Sequence, residues 1–199
     1  MFPDTHLKKW KIGKAEKWLV DNAKDIGIDI DGFEHEITNH FKNHVLKKHG
    51  NKEKEMMRGQ IAVIEEDFEK ISDVVKNPDH AMIGAKRNGK DVFYYVKKME
   101  DGTTLYVEEV LNSDENKSLR SKTMFKRGKD VNKDKLKNIV SMNNKTDITN
   151  SKIISPGTGS NPSYKAENPP MAANPIQPTG QLSTLVVTPS SQNVKGTDK

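Results

Sequence analysis

The chain has 199 residues and a formal net charge of +5, with 33% hydrophobic and 31% charged residues. This length fits one ordinary domain with extensions, and the low hydrophobic content indicates that part of the chain builds no core. Cysteine is absent, which excludes disulfides, thiolate metal sites and a cysteine nucleophile. No apolar run reaches membrane-spanning length and no secretory signal is evident, so we expect a cytoplasmic protein with no membrane partner.

The excess positive charge is small and unevenly placed. Four lysines and two acidic residues follow residue 150, which leaves a net charge of only +3 on the residues before it. A nearly balanced body is not expected to hold a phosphate backbone by charge alone. Any contact with nucleic acid should therefore be local.

Composition and periodicity divide the chain into four segments. Residues 1–30 are predicted to form an N-terminal helical extension, residues 31–128 the folded domain, and residues 129–150 a polar linker. Residues 151–199 are rich in Ser, Thr, Pro, Gly and Asn, with prolines that interrupt any helix. Such a segment buries too little apolar surface to offset its ordering entropy, so we expect a disordered tail.

Apolar residues recur at helical spacing in three regions, which predicts helices over residues 14–26, 33–48 and 65–75. The second helix has an apolar stripe at every fourth position: Phe33, Ile37, Phe41 and Val45. Gly50 is predicted to end this helix. Residues 52–57 are predicted to add one short helical turn.

After residue 80 the apolar period changes to two, which is typical of strands. Four strands are predicted, over residues 81–85, 92–99, 105–111 and 119–125. The dipeptides Asn88-Gly89 and Asp101-Gly102 are strong hairpin signals between them. The predicted fold class is α+β, with N-terminal helices packed on a four-stranded antiparallel sheet and a disordered C-terminal tail.

Four of the six histidines lie on or beside the second predicted helix. His35 and His40 are five residues apart, which separates them by about 140° around a helix and departs from the H-E-x-x-H zinc motif. We therefore expect no metal and no cofactor. His44 lies within the apolar stripe, which favours a core histidine, whereas His49 lies at the helix end, where it faces either solvent or a cleft.

Alternation along the strands places further polar groups. Lys97 is predicted to emerge on a face that also carries aromatic residues. Ser121 and Thr123 are predicted to share one face of the last strand, among apolar neighbours, although such residues are common in strands for their shape alone. Glu108 and Glu109 divide between the two faces of their strand, so that one of them is expected in solvent and the other in a cleft.

Several catalytic motifs are missing from the sequence: a Gly-rich phosphate loop, a serine-centred elbow and paired carboxylates for two-metal hydrolysis. The remaining chemistry is acid/base catalysis by histidine, with lysine, arginine and hydroxyl groups in support. RNA is the natural substrate for such a set, because its 2′-hydroxyl is an internal nucleophile that needs a base, a cation at the phosphate and an acid for the leaving oxygen.

A series of short motifs, in this order and with short gaps, resembles the phage-encoded nuclease domains of the barnase/EndoU/colicin/RelE type. The resemblance covers about half of the chain. The motifs are HVLKKHG at 44–50, RGQI at 58–61, EDFEKI at 66–71, NPD at 77–79, YVKK at 95–98, DGT at 101–103, VEEV at 107–110 and KTMFK at 122–126.

The resemblance implies a toxin-like fold and a metal-free endoribonuclease, with tRNA among its candidate substrates. It makes His49 the leading candidate for general acid or base, with His44 second. Thr123, and less directly Ser121, would contact or orient the scissile phosphate. The residues implied to stabilise its charge or to bind substrate are cationic: Lys97, Lys86, Arg87, Lys126 and Arg58.

Two other classes of function stay open. Related domains are often fused to phage minor head or portal proteins, so the domain could be catalytically idle in a virion-associated structural protein whose tail docks on a capsid partner. It could also bind nucleic acid without cleaving it. The expected partners are RNA, a phage head protein or an immunity protein, and the expected location is the host cytoplasm or the virion.

Overall fold

The structure, a computed structural model, describes residues 7–113, 117–128, 132–142 and 146–156. The described helices are α1 Lys17–Lys24, α2 Asn39–His49, α3 Lys52–Met57, a 3₁₀ helix Glu65–Lys70, α4 Ile71–Lys76 and α5 Lys133–Ser141. The described strands are β1 Lys9–Lys14, β2 Glu34–Thr38, β3 His80–Arg87, β4 Lys90–Lys98, β5 Thr104–Asn112, β6 Ser118–Arg127, β7 Thr146–Asp147 and β8 Lys152–Ile154.

The strands form one mixed sheet of eight strands in the order β1-β2-β6-β5-β4-β3-β7, and β8 also pairs with β3. All neighbours are antiparallel except β2 and β6, which are parallel. The prediction of N-terminal helices on a four-stranded sheet is therefore wrong. The four predicted strands are present as β3 to β6, and four shorter strands extend the sheet at its two sides.

The two faces of the sheet carry separate apolar clusters. The first face is covered by α1, α2, the 3₁₀ helix and α4, and includes Phe93 and Tyr95 of β4. The second face is covered by α5 and includes Tyr94 of β4. The alternation predicted for this strand is confirmed. Only N-terminal helices were predicted to pack on the sheet, whereas α5, in the predicted linker, packs Leu136 and Val140 on the second face.

The second predicted helix is two elements. Its first part is β2, which lies between β1 and β6, and α2 begins only after Thr38, whose hydroxyl accepts a hydrogen bond from the Phe41 N–H at 3.1 Å. A spacing of four residues satisfies both helical and strand periodicity, so Phe33 and Ile37 did not distinguish the two. The helix ends at Gly50, as predicted.

The β3–β4 hairpin confirms the turn signal in the sequence. Asn88 and Gly89 have φ angles of 50° and 76°, the left-handed conformations that a two-residue turn requires to match the twist of its strands. The turn brings the end of β3 beside the beginning of β4. Arg87 is thereby held next to the central strands.

A β-bulge in β6 changes the face of the sheet on which the side chains after it lie. Glu109 pairs with Ser121 and Glu108 pairs with Thr123, so Lys122 is an extra residue without a partner across the ladder. Before the bulge, Ser121 faces the same side as the buried Leu119. After it, Thr123 and Phe125 lie on the second face of the sheet, so the prediction that Ser121 and Thr123 share a face is wrong.

The sheet and the helices packed on it include parts of the chain that the sequence assigned to flanking segments. β1 lies in the predicted N-terminal extension, α5 and β7 lie in the predicted linker, and β8 lies at the start of the predicted tail. Residues 157–199 of that tail lie outside the described residues. Within the described part of the chain, no helix is long and apolar enough to span a membrane.

Candidate active site

An open cleft is bordered by α2, the β3–β4 hairpin and the middle of β5 and β6. It has two adjoining lobes, with volumes of about 650 Å³ and about 570 Å³. The first lobe extends along Glu108, Arg120 and Lys122, and the second extends toward the loop after α3 and the end of α5. The side chains that line both lobes are His44, Arg87 and Thr123.

His49 lies at the end of α2, where its ring lines the second lobe. Its Nδ1 is 3.0 Å from Oε2 of Glu55, a carboxylate that is completely buried beneath it. The other oxygen of Glu55 accepts a hydrogen bond from Arg58 at 2.5 Å. A carboxylate in contact with one ring nitrogen fixes the orientation of the imidazole and leaves the other nitrogen available to exchange a proton.

His44 lies on the exposed side of α2, one turn before Lys48. The prediction of a core histidine is wrong, because the apolar side of α2 is formed by its neighbours Phe41 and Val45. Partial burial lowers the pKa of His44, and the positive charges of Lys48, His49 and Lys122 lower it further. A lowered pKa favours the neutral form of the His44 ring, which is the form that can accept a proton.

Arg87 and Glu108 form an ion pair on the floor of the cleft, with 2.6 Å between the guanidinium Nη1 and the carboxylate Oε1. Arg87 also donates to the Tyr94 hydroxyl at 2.9 Å. Burial raises the pKa of Glu108, although Arg87 and a hydrogen bond from Tyr94 oppose the change. Burial and the nearby Glu108 carboxylate raise the pKa of Tyr94 to about 12, so its hydroxyl stays protonated.

The β-bulge of β6 brings two polar side chains to this floor. It turns Thr123 toward the second face, opposite Glu108 in the ladder. It also leaves Lys122 exposed at the edge of the first lobe. A bulge commonly redirects a side chain in this way beside a functional site.

Five of the nine site residues proposed from the sequence meet in the second lobe: His49, His44, Thr123, Arg87 and Arg58. The other four lie elsewhere. Lys86 is paired with Asp91 at 2.8 Å on β4. Lys97 donates to the Asn77 carbonyl at 2.6 Å, beside α4 on the first face.

Ser121 and Lys126 face the interior. Ser121 borders the first lobe, but its hydroxyl donates to the buried Glu109 at 3.4 Å. Lys126 is only 6% exposed and lies 2.6 Å from Asp67. Burial opposes ionisation of Asp67, but hydrogen bonds from a backbone N–H and from Lys126 together bring its pKa below the ordinary value. This geometry makes Lys126 a structural cation within the core.

The sequence pattern indicated no role for Glu55 or Tyr94 and left Glu108 unassigned. Glu55 is a buried carboxylate on a short polar helix, and no local pattern reveals its burial. For Glu108 the sequence contained a weak signal of a functional role, because alternation along the strand predicted that either Glu108 or Glu109 lies in a cleft. Among the described residues, no group of three or more His, Asp or Glu side chains is placed to hold a metal ion.

An open cleft that combines imidazoles with guanidinium and ammonium groups offers the acid/base and cationic groups that phosphoryl transfer requires. The family comparison agrees with this class. Residues 13–136 match the family described as phage-Barnase-EndoU-ColicinE5/D-RelE like nuclease3. The protein belongs to this phage-associated nuclease family, which confirms the resemblance found in the motifs and supports a nuclease function. No curated protein and no solved structure matches the chain significantly.

Proposed function

We propose that this nuclease is a metal-independent endoribonuclease that cleaves RNA by attack of the 2′-hydroxyl on the adjacent phosphate. The observation that carries the proposal is the meeting of His44, His49, Arg87 and Thr123 in one lobe of the cleft. These groups supply two proton-exchanging rings, a fixed positive charge and a hydroxyl. They are the functions required for transfer of the phosphate to an internal nucleophile.

His44 is assigned the role of general base. In its neutral form it takes the proton of the 2′-hydroxyl as O2′ forms a bond to phosphorus. His49 is assigned the role of general acid, which protonates the 5′-oxygen as the bond between phosphorus and that oxygen breaks. Glu55 keeps the His49 ring oriented through its contact with Nδ1. The products are a 2′,3′-cyclic phosphate and a 5′-hydroxyl.

The negative charge that develops on the phosphate requires cations held in place before the reaction. Arg87 lines both lobes, and its hydrogen bonds to Glu108 and Tyr94 hold the guanidinium in place before substrate binds. Lys122 supplies a more mobile charge at the edge of the first lobe. Thr123 lines both lobes, and its hydroxyl is assigned the role of donating a hydrogen bond to a phosphate oxygen.

The first test uses a DNA oligonucleotide that contains a single ribonucleotide, incubated with the purified protein in EDTA. Cleavage is expected only on the 3′ side of the ribonucleotide, with a 2′,3′-cyclic phosphate end, and the all-DNA oligonucleotide is expected to stay intact. His49→Ala is expected to lower the rate at least about 10²-fold, as removal of a general acid does. His80→Ala, a histidine of β3 outside the cleft, is the matched control.

Each part of the proposal has its own contrary result. Cleavage of the all-DNA oligonucleotide would exclude the 2′-hydroxyl mechanism, and activity that EDTA abolishes would exclude metal independence. Equal rates for His49→Ala and His80→Ala would exclude the assigned role of His49. If total RNA also remained intact in the presence of the wild-type protein, a virion-associated structural role would become the better interpretation.

A further inference from the structure

We propose that the second lobe of the cleft contains a nucleobase-recognition subsite, in which Gln60 and Arg127 bind the hydrogen-bonding edge of one base of the substrate. The proposal rests on the proposed function, because it identifies the part of the RNA that binds beside the reacting phosphate. Gln60 follows α3, and Arg127 is the last residue of β6.

Two polar atoms in this lobe are buried and have no partner. They are Oε1 of Gln60 and Nε of Arg127, and neither makes a hydrogen bond in the structure. Both side chains line the second lobe. Buried polar groups are nearly always paired in folded proteins. Because these two atoms are covered, a ligand reaches them once the Gln60 and Arg127 side chains turn toward the lobe, and this turn breaks no hydrogen bond at either atom.

The chemistry of the two atoms indicates which ligand that is. The Nε–H of Arg127 is a donor only, whereas the Gln60 amide presents an acceptor oxygen beside a donor nitrogen. A phosphate could accept from Arg127, but as an acceptor it leaves the Gln60 oxygen unpaired. The edge of a nucleobase carries donors and acceptors side by side, so a base can satisfy both groups.

The surroundings of these atoms fit a flat aromatic ligand. Phe125 is partly exposed in the lobe, and its ring is stacked on Tyr106 with 4.4 Å between centroids and 9° between planes. The Arg127 guanidinium lies 5.9 Å from the centroid of Phe125. Ile139 and Met142 extend the apolar surface, and Met142 is 78% exposed. Stacking on an aromatic surface is a usual way to bind an unpaired base.

The position of the subsite assigns it to a nucleotide at the cleavage position. The lobe that contains Gln60 and Arg127 is also lined by His44 and His49. The ring of His49 lies 6.1 Å from that of Phe125, measured between centroids. A base held there would belong to a nucleotide that flanks the scissile phosphate, so the subsite would select the sequence that is cut.

The test measures binding without cleavage, with full-length protein and 2′-O-methyl RNA tetranucleotides of each single base. A tetranucleotide of the same charge without bases is the reference. The methyl group blocks the internal nucleophile, so the result does not depend on activity. The wild type is expected to bind at least one base about tenfold more tightly than the reference.

Two variants remove the proposed hydrogen bonds while keeping size or charge. Gln60→Met and Arg127→Lys are each expected to bring the preferred tetranucleotide within about threefold of the reference. Lys52→Ala, an exposed residue of α3 outside the cleft, is the control and is expected to keep the tenfold preference. Thermal unfolding verifies that each variant is folded.

Equal binding of all five ligands by the wild type would overturn the subsite, and so would a preference that survives in both variants. The two proposals fail separately. Base preference in binding without any cleavage of RNA would leave the subsite standing and refute the endoribonuclease. Cleavage of RNA without base preference in binding would support the endoribonuclease and refute the subsite.

Discussion

The contact between Glu55 and His49 leads to the most direct test of the catalytic arrangement. Glu55 is completely buried and lies 3.0 Å from His49 and 2.5 Å from Arg58. The change Glu55→Gln keeps the shape of the side chain, but it removes the charge and places an amide NH₂ against one of two donors. Both contacts therefore lose their charge-assisted character, and the amide keeps hydrogen bonds to both residues only if His49 Nδ1 becomes the acceptor.

The magnitude follows from those contacts. Loss of a charge-assisted hydrogen bond costs about 1.5–3 kcal/mol. Because Arg58 is half exposed and solvent screens its charge, we expect the free energy of unfolding to fall by about 1–3 kcal/mol. Loss of the carboxylate that orients a catalytic histidine lowers rates by about 10²-fold or more. We expect Glu55→Gln to lower cleavage at least to that extent.

The assay is single-turnover cleavage of the oligonucleotide with one ribonucleotide, together with urea unfolding of the same samples. Glu53→Gln is the matched control, because Glu53 is an exposed carboxylate on the same helix. It is expected to match the wild type in both measurements. A folded Glu55→Gln protein that cleaves within threefold of the wild type would refute the role given to Glu55, as would an equal loss in Glu53→Gln.

Three further predictions concern neighbouring groups. Asp67→Asn should destabilise the fold by about 3–5 kcal/mol in urea unfolding, because it leaves a buried lysine unpaired. Since folding lowers the pKa of Asp67 from 3.8, its contribution should be complete above that value and should disappear as pH falls through the folded pKa. Burial lowers the pKa of His44 most, and the charge of Lys48 is the second cause. Lys48→Ala should therefore raise the pKa of His44 in an NMR titration and shift the acid limb of the pH–rate profile to higher pH. An unchanged titration of His44 would contradict this. Thr123→Val should slow cleavage at least about tenfold, whereas Ser121→Ala should keep the rate within twofold and cost about 1 kcal/mol of stability; the opposite pattern would contradict the bulge in β6.

The sequence by itself determined the centre of the fold and the family. Period-two alternation and two hairpin turns are local signals, so the four central strands and their order of pairing follow from neighbouring residues. The order of the short motifs was sufficient to predict the family, because family membership is expressed in residue identity and spacing along the chain. The local pattern placed His49 at the end of a helix beside Gly50, and the family resemblance made it the leading catalytic candidate.

Tertiary structure decided what depends on residues far apart in the chain. β2 is a strand because β1 and β6 lie on either side of it, and no pattern within residues 33–48 expresses that. The bulge that separates Ser121 from Thr123 exists only relative to the partner strand β5. Lys126 is a buried structural cation because Asp67 reaches it, and His49 gains an orienting carboxylate because α3 folds beneath it. In each case the deciding interaction lies across space, where alternation and helical spacing carry no information.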